Sequence, residues 1–149
     1  MQAVNQIVMQ AEMEKIFETA ADLSLWPIIL PHYRWVKYLE KSPQDNVVVM
    51  AAKRKWIPIK WTSRQEIDPL HKQVRFLHLK AFTKGMRVVW TFDQVENGVL
   101  VKIEHQLSSR IPIIGPFIAN VIVGKFFIDY VANQTLRCMK AYLETSDEA

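Results

Sequence analysis

The chain has 149 residues, of which 50% are hydrophobic and 23% are charged. This length fits one ordinary domain and this balance is typical of a folded globular protein, so we expect a single domain over residues 1–149. Only four glycines and one cysteine are present, which argues against a glycine-rich phosphate loop and excludes an internal disulfide. The first residues include Glu12, Glu14 and Lys15 and no apolar core of a secretory signal, so the sequence indicates a cytoplasmic protein.

The net charge of +4 is unevenly distributed along the chain. Ten basic and two acidic residues lie between Lys53 and Arg87, so this basic region carries +8 and the remainder carries −4. Such a region is typical of a surface that meets an anionic partner. Anionic lipid, nucleic acid, an acidic protein and an acidic small molecule all remain open, as does a merely solvated sheet face. Nucleic acid is an unlikely partner, because no sequence-reading motif accompanies the charge.

Apolar periodicity predicts a strand and two helices at the start of the chain. Residues Ala3–Gln10 alternate loosely, as a strand does. From Ala11 the period changes to that of an amphipathic helix, with apolar residues at Met13, Ile16, Phe17 and Ala20. The segment Asp22–Pro31 indicates a short apolar helix that its prolines limit, and Tyr33–Lys41 indicates a return to extended structure.

The middle of the chain predicts a series of strands at hairpin spacing. These strands are Asn46–Lys55, Ile59–Ile67, Gln73–Lys80, Met86–Val95 and Gly98–Ser108. We expect a turn at Pro58 between the first two. The dipeptide Asn97-Gly98 supplies the signal of a tight hairpin between the last two.

A long segment without proline, Phe117–Glu144, predicts a long C-terminal helix. The predicted order is therefore a strand, two short helices, about six antiparallel strands and one long helix. Helices segregated to one face of an antiparallel sheet indicate the α+β class. A strongly curved sheet that holds one long helix leaves a hollow between them.

Three stretches carry a family resemblance: Ala11–Phe17 followed by Asp22 and Trp26–Pro31, then Val89–Phe92, then Leu107–Gly115. With the element order, they resemble the START-like, polyketide cyclase/dehydrase superfamily (SRPBCC), which includes relatives of coenzyme-Q-binding START proteins. The resemblance implies the helix-grip fold, a curved antiparallel sheet of about six to seven strands wrapped around a long C-terminal helix. It also implies a cavity for a hydrophobic ligand between sheet and helix, but no particular reaction.

The sequence contains no recognisable catalytic, metal or cofactor motif. It lacks the dinucleotide-binding, phosphate-loop, nucleophile-elbow and zinc-protease patterns. Its histidines, His32, His71, His78 and His105, have no close metal-ligand spacing. We therefore predict no metal and no cofactor, and Cys138 is expected to be a packed or surface thiol.

Strand alternation directs several polar and aromatic side chains toward the predicted hollow. His105 stands out, because its apolar strand neighbours place it on an inward face, where an imidazole can hydrogen-bond a ligand carbonyl or move a proton. The expected ligand-binding residues are Trp61, Phe76, His78, Trp90, Ile103, His105, Phe127, Tyr130 and Asn133. A plain core role is the alternative for each. Arg64 is expected to face water, although a shift of one residue in strand register would turn it into the cavity.

The uncharged stretch Ile111–Gly124 is too short to span a bilayer. It predicts either a loop that closes the cavity or a gate that touches a membrane while apolar ligand enters.

Two functions from different classes fit these features. The first is binding or transport of a hydrophobic small molecule such as a lipid, quinone or isoprenoid. The second is a polyketide cyclase or dehydratase that uses the same cavity, with His105 as the residue that moves protons. The absence of a recognisable catalytic set favours binding. The basic region Lys53–Arg87 adds a transient contact with an anionic membrane surface as a further hypothesis, with a peripheral membrane location.

Overall fold

A computed structural model describes residues 2–80, 83–106 and 123–147. Within these ranges, seven strands form one sheet and three helices accompany it. In chain order the elements are β1 Gln2–Met9, α1 Met13–Ala21, α2 Trp26–Ile29, β2 Tyr33–Glu40, β3 Asp45–Arg54, β4 Ile57–Asp68, β5 Gln73–His78, β6 Arg87–Val95 and β7 Gly98–Gln106. The C-terminal helix α3 is π-helical over Val123–Ala132 and α-helical over Asn133–Asp147.

The sheet is antiparallel throughout, in the order β1-β7-β6-β5-β4-β3-β2. The first strand therefore pairs with the last. The register sets Trp90 opposite Ile103 and Val88 opposite His105, so the inward residues of β6 and β7 share one face, as alternation predicts. The predicted α+β class and helix-grip architecture are confirmed.

Helix α3 lies against the concave face of the sheet and is fixed there at both ends. Asn5 of β1 donates a hydrogen bond through Nδ2 to the carbonyl oxygen of Ile128, at 3.1 Å. Farther along the helix, Lys140 Nζ donates to the carbonyl oxygen of Val8, at 2.9 Å. The ring of Phe127 packs edge-on against that of Trp61, with centroids 5.0 Å apart. These contacts hold the helix over the inward faces of the strands.

The predicted turn at Pro58 is wrong, because Pro58 lies inside β4 opposite Lys53. The two-residue turn is Lys55-Trp56, where Lys55 adopts a φ of 57°. In this register the nitrogen of Pro58 points away from β3. On that other side, β4 pairs with β5 only from Ser63 onward. The N–H that proline lacks would therefore form no hydrogen bond between strands here, and strands tolerate proline at such positions.

Part of the sequence-based prediction lies outside the described residues. Residues 107–122 contain most of the predicted gate, one stretch of the family resemblance, and the predicted start of the long helix. The end of that helix is described and lies at Asp147 rather than Glu144. In the described part of the chain, no helix combines the length and apolar character that crossing a bilayer requires.

Candidate functional site

A cavity of about 50 Å³ lies between the concave sheet face and α3. Its wall is formed by α2, by strands β2 to β7, and by one face of α3. The lining residues are Trp26, Tyr33, Met50, Trp61, Phe76, His78, Val88, Trp90, Ile103, His105, Phe127, Val131, Ala132 and Thr135. One water needs roughly 10–15 Å³ measured this way, whereas ligand pockets commonly reach about 300–1,000 Å³. The cavity therefore has room for a few water molecules in this conformation.

Of the nine predicted ligand-binding residues, seven line this cavity. They are Trp61, Phe76, His78, Trp90, Ile103, His105 and Phe127. The structure places the other two elsewhere: Tyr130 lines a surface cleft, and the amide oxygen of Asn133 accepts a hydrogen bond from Asn5 Nδ2 at 3.0 Å. On α3, Phe127, Val131 and Thr135 line the cavity at four-residue spacing together with Ala132, and Tyr130 and Asn133 fall on the flanks of that stripe.

Two cavity histidines are held neutral by burial. Burial lowers the pKa of His105 to about 4, because a charged imidazolium loses its hydration there. Burial, with a smaller contribution from neighbouring His105, lowers the pKa of His78 to about 3. His78 Nδ1 lies 2.9 Å from the hydroxyl of Thr83, while His105 Nδ1 has no hydrogen-bond partner among the described residues. His105 therefore presents a buried ring nitrogen that a ligand can satisfy.

Thr135 organises a polar corner of the cavity on α3. Its hydroxyl donates to the carbonyl oxygen of Val131 at 2.7 Å, and the same oxygen lies 2.9 Å from His32 Nε2. Since that hydroxyl proton is already used, His32 Nε2 is the donor to Thr135. Burial lowers the pKa of His32 to about 4. Burial also raises the pKa of Tyr33, whose hydroxyl hydrogen-bonds with Thr135.

Arg64 lies on the outer face of the sheet, as alternation predicts. Its guanidinium forms a bidentate pair with Asp45, with Nε 3.0 Å from Oδ1 and Nη2 2.7 Å from Oδ2, and both side chains are 48% exposed. The adjacent residues Ser63 and Gln65 are fully buried on the inner face. The alternative register, with Arg64 in the cavity, is therefore wrong. Consequently, no charged side chain lines the cavity within the described ranges.

Comparison with known sequences places this architecture in a family. The sequence model of the polyketide cyclase/dehydrase and lipid transport family matches residues 9–125. The chain belongs to this family. No curated protein sequence is significantly similar to it.

Solved structures share the fold of this family member at low sequence identity. An aromatase/cyclase from Streptomyces sp. R1128 is 15% identical, with a TM-score of 0.79 over 97% of this chain and 93% of that one. A START superfamily protein from Mycobacterium smegmatis is 11% identical, with a TM-score of 0.73 over 97% of each chain. A STAR-related lipid transfer protein from Xanthomonas axonopodis is 13% identical, with a TM-score of 0.69 over 96% of this chain and 85% of that one. At these identities the likeness shows the fold alone.

Sequence reasoning missed seven of the fourteen described residues that line the cavity of this family member. The missed residues are Trp26, Tyr33, Met50, Val88, Val131, Ala132 and Thr135. Alternation with Trp90 could have identified Val88, and the four-residue spacing from Phe127 could have identified Thr135. No such signal exists for Trp26 and Tyr33, because one lies in a single helical turn and the other begins a strand with an irregular register.

A separate surface cleft of about 300 Å³ lies on the outer side of α3. It is lined by Pro31, His32, Lys53, Lys55, Tyr130 and Gln134. The guanidinium of Arg54 lies over the ring of Tyr130, 5.3 Å from its centroid, and its Nη1 donates to the carbonyl oxygen of Lys125 at 3.3 Å. The cleft is therefore bordered by cations, in contrast to the uncharged wall of the central cavity.

Proposed function

We propose that this protein binds a neutral, hydrophobic small molecule in the cavity between the sheet and α3, as a lipid, quinone or isoprenoid carrier would. The observation that carries the proposal is the wall itself, in which aromatic, aliphatic and neutral polar side chains surround the cavity and no charged side chain does so among the described residues. A buried anion or cation would lose its hydration there without a compensating charge. A neutral apolar ligand would instead gain free energy by leaving water, at about 25 cal/mol per Å² before association costs are subtracted.

The polar groups in the wall favour a ligand that carries a carbonyl or hydroxyl group. Neutral imidazole offers one donor and one acceptor nitrogen, and His105 Nδ1 is buried without a partner among the described residues. Pairing it with a ligand would remove the free-energy cost of an unsatisfied buried polar atom. His78, by contrast, already has Thr83 as a partner.

Binding of such a ligand requires side chains to move. The cavity of about 50 Å³ is smaller than any lipid, quinone or isoprenoid. Trp61 and Phe127 pack edge-on at 5.0 Å across the space between β4 and α3, so separating these two rings is the direct way to enlarge it. We expect ligand binding to change the environment of both rings.

A cyclase or dehydratase that uses the same cavity is the alternative, because an aromatase/cyclase shares the fold. The cavity histidines argue for binding instead. An effective general base has a pKa near the working pH, whereas burial holds His78 and His105 at pKa values of about 3 and 4. The alternative would be favoured over a carrier if the protein formed product from a polyketide-like substrate and the variant His105→Gln did not.

The proposal includes transient contact with an anionic membrane, through only part of the basic region. Arg64 pairs with Asp45, Lys72 with Glu14, and Arg75 with Glu66 and Asp68. The other seven basic residues form no ion pair with a described carboxylate; they are Lys53, Arg54, Lys55, Lys60, Lys80, Lys84 and Arg87. They are available to anionic headgroups, and nucleic acid remains the weaker expectation.

The test is binding of the fluorescent apolar probe N-phenylnaphthylamine to the purified protein, combined with organic extraction and mass spectrometry of co-purifying molecules. Val88 is buried in the cavity wall, and the next residue of β6, Val89, faces outward. We expect Val88→Phe to weaken probe binding at least tenfold and the matched variant Val89→Phe to leave it unchanged. Probe binding that survives Val88→Phe unchanged in a folded protein would contradict the proposed site.

A further inference from the structure

The β3–β4 hairpin extends well past the end of β5, while on its other side β2 accompanies β3 as far as Ala52. Just after β5 ends, the Leu79 N–H donates a backbone hydrogen bond to the carbonyl oxygen of Thr62 in β4. Among the described residues, 57–61 therefore pair with β3 alone. At about 3.4 Å per residue, they carry the turn roughly 17 Å past the end of β5. Arg54 anchors this projection to the start of α3 through the carbonyl oxygen of Lys125.

The tip of this hairpin exposes large apolar side chains to solvent. Trp56 is 84% exposed and the adjacent Ile57 is 50% exposed. Neither contributes to the core, although exposing an indole ring to water is unfavourable. Tryptophan is enriched where one part of its ring system can be apolar and the N–H can remain hydrated, as at the headgroup level of a bilayer.

The charges of the sheet are separated along the strand direction. Antiparallel pairing brings the β3–β4 turn and the loop between β5 and β6 to one end of the sheet. We call this the basic end; its cations without a described carboxylate partner include Lys53, Arg54, Lys55, Lys80, Lys84 and Arg87. The pairs of Arg64 with Asp45 and of Arg75 with Asp68 lie toward the opposite end. Trp56 thus lies next to Lys55 and close to Lys53 and Arg54, which have no carboxylate partner among the described residues.

The surface cleft beside the turn adds a place for an anionic group. Lys53 and Lys55 border it on one side, and Tyr130 and Gln134 of α3 border it on the other. At about 300 Å³, it has room for a phosphate together with the group that carries it. Two ammonium groups, a phenol and an amide supply hydrogen-bond donors suited to phosphate oxygens.

We propose that the basic end is a docking surface for an anionic lipid bilayer, with Trp56 as its interfacial anchor and the Lys53/Lys55 cleft as the site of a headgroup phosphate. This inference rests on the proposed function, because an apolar ligand is stored in membranes and must be collected there. It also assigns the contact to one end of the sheet, with the β3–β4 turn at its centre, rather than to the whole basic region.

Flotation with vesicles of phosphatidylcholine alone, or mixed with phosphatidylglycerol, tests the docking surface. We expect binding only to the anionic vesicles, and weakening by added salt. Trp56→Ser should weaken it about tenfold, because an interfacial tryptophan is lost. The control Trp35→Ser removes the partly exposed tryptophan of β2, which pairs with Ala51 rather than lying at the turn, and should have a much smaller effect.

Charge is tested by a second matched pair of variants. Neutralising Lys53 and Lys55 together (both to Gln) should weaken binding to anionic vesicles about 25-fold, since each basic residue near the surface contributes about fivefold. Neutralising the exposed lysines Lys37 and Lys41 (both to Gln) should have a much smaller effect. These residues are exposed, so circular dichroism should show unchanged folding in every variant.

The outcomes separate docking from ligand binding. Equal binding to neutral and anionic vesicles, equal losses in Trp56→Ser and Trp35→Ser, or binding to single-stranded RNA but not to vesicles would each overturn the docking surface. Normal N-phenylnaphthylamine binding without vesicle binding would overturn the docking surface and the proposed membrane contact, and leave ligand binding in the cavity intact. Vesicle binding without probe binding would leave docking intact and contradict the cavity function.

Discussion

Buried histidine is the residue type that most distinguishes this cavity from an ordinary apolar core. His78 and His105 in the cavity wall, and His32 at the neighbouring surface cleft, are each no more than 5% exposed, and burial lowers all three pKa values to between about 3 and 4. Each ring therefore stays neutral at physiological pH. Neutrality makes the wall compatible with an uncharged ligand and removes positive charge from the interior.

These pKa values predict that the protein loses stability in mild acid. In the unfolded chain the histidines titrate near 6.5, so below that pH the unfolded state binds more protons than the folded state. The free energy of unfolding should be insensitive to these groups above pH 6.5. It should fall as the pH drops toward 4, by roughly 1.4 kcal/mol per pH unit for each histidine. Urea unfolding at several pH values between 7.5 and 5 measures this slope.

His78→Gln should reduce the slope by about one third, because one of three buried titrating groups is removed. The control, His71→Gln, changes a histidine whose side chain is 68% exposed and contacts Asp68, and it should alter the slope less than His78→Gln does. Equal slopes in all three proteins would contradict a neutral, buried His78.

At the scale of elements, the β6–β7 hairpin shows why one glycine is required. The sequence predicts this hairpin from Asn97-Gly98, and the structure confirms it, with Val95 opposite Gly98. The turn residues are Glu96 and Asn97, so Gly98 is the first residue of β7, at a φ of 143°. A Cβ atom there would lie 2.6 Å from the carbonyl oxygen of Met9 in β1. Close approach of β1, as well as the turn, therefore requires glycine.

We expect Gly98→Ala to lower the free energy of unfolding by about 2–4 kcal/mol, because an unfavourable φ and a backbone clash combine. Gly85→Ala is the matched control, since Gly85 also has a positive φ, of 91°, but a Cβ atom there would meet nothing within 4 Å. It should cost only about 1–2 kcal/mol. Urea denaturation compares the two variants, and equal losses would show that the contact with β1 is unimportant.

At the scale of the whole molecule, the cavity exists only when sheet and helix are assembled. Its wall combines residues from α2, from six strands and from α3, which are far apart in an unfolded chain. A cavity ligand therefore binds the folded state alone and stabilises it by linkage. At a free concentration of about one hundred times Kd, stabilisation should reach roughly 2.7 kcal/mol.

Thermal unfolding with increasing N-phenylnaphthylamine measures this linkage. The midpoint should rise with probe concentration in the wild type and in Val89→Phe, and stay nearly constant in Val88→Phe. A rise of the same size in Val88→Phe would place the probe outside the cavity, because Val88, unlike Val89, belongs to the cavity wall.

Periodicity accounts for how much of the fold and the site could be predicted. Period-two alternation identified which face of β4 to β7 turns inward, and the strand residues predicted for the site all line the cavity. The same rule placed Arg64 outside. Tyr130 and Asn133 lie off the cavity wall, because the rotation of α3 about its axis is set by packing against the sheet. The turn predicted at Pro58 is wrong because a strand accepts proline where no neighbouring strand needs its N–H. Whether such a neighbour exists cannot be read from the residues around Pro58.

The sequence by itself determined the class of fold, the order of its elements, the inward faces of the strands and a basic segment, since these follow from interactions between residues close along the chain. Only the tertiary structure decided the size of the cavity, the neutrality of its histidines, and the collection at one end of the sheet of cations that have no described carboxylate partner. The physical reason is that volume, desolvation and charge pairing depend on which distant segments meet. Glu14 and Lys72, for example, lie far apart in sequence and meet only in the folded protein.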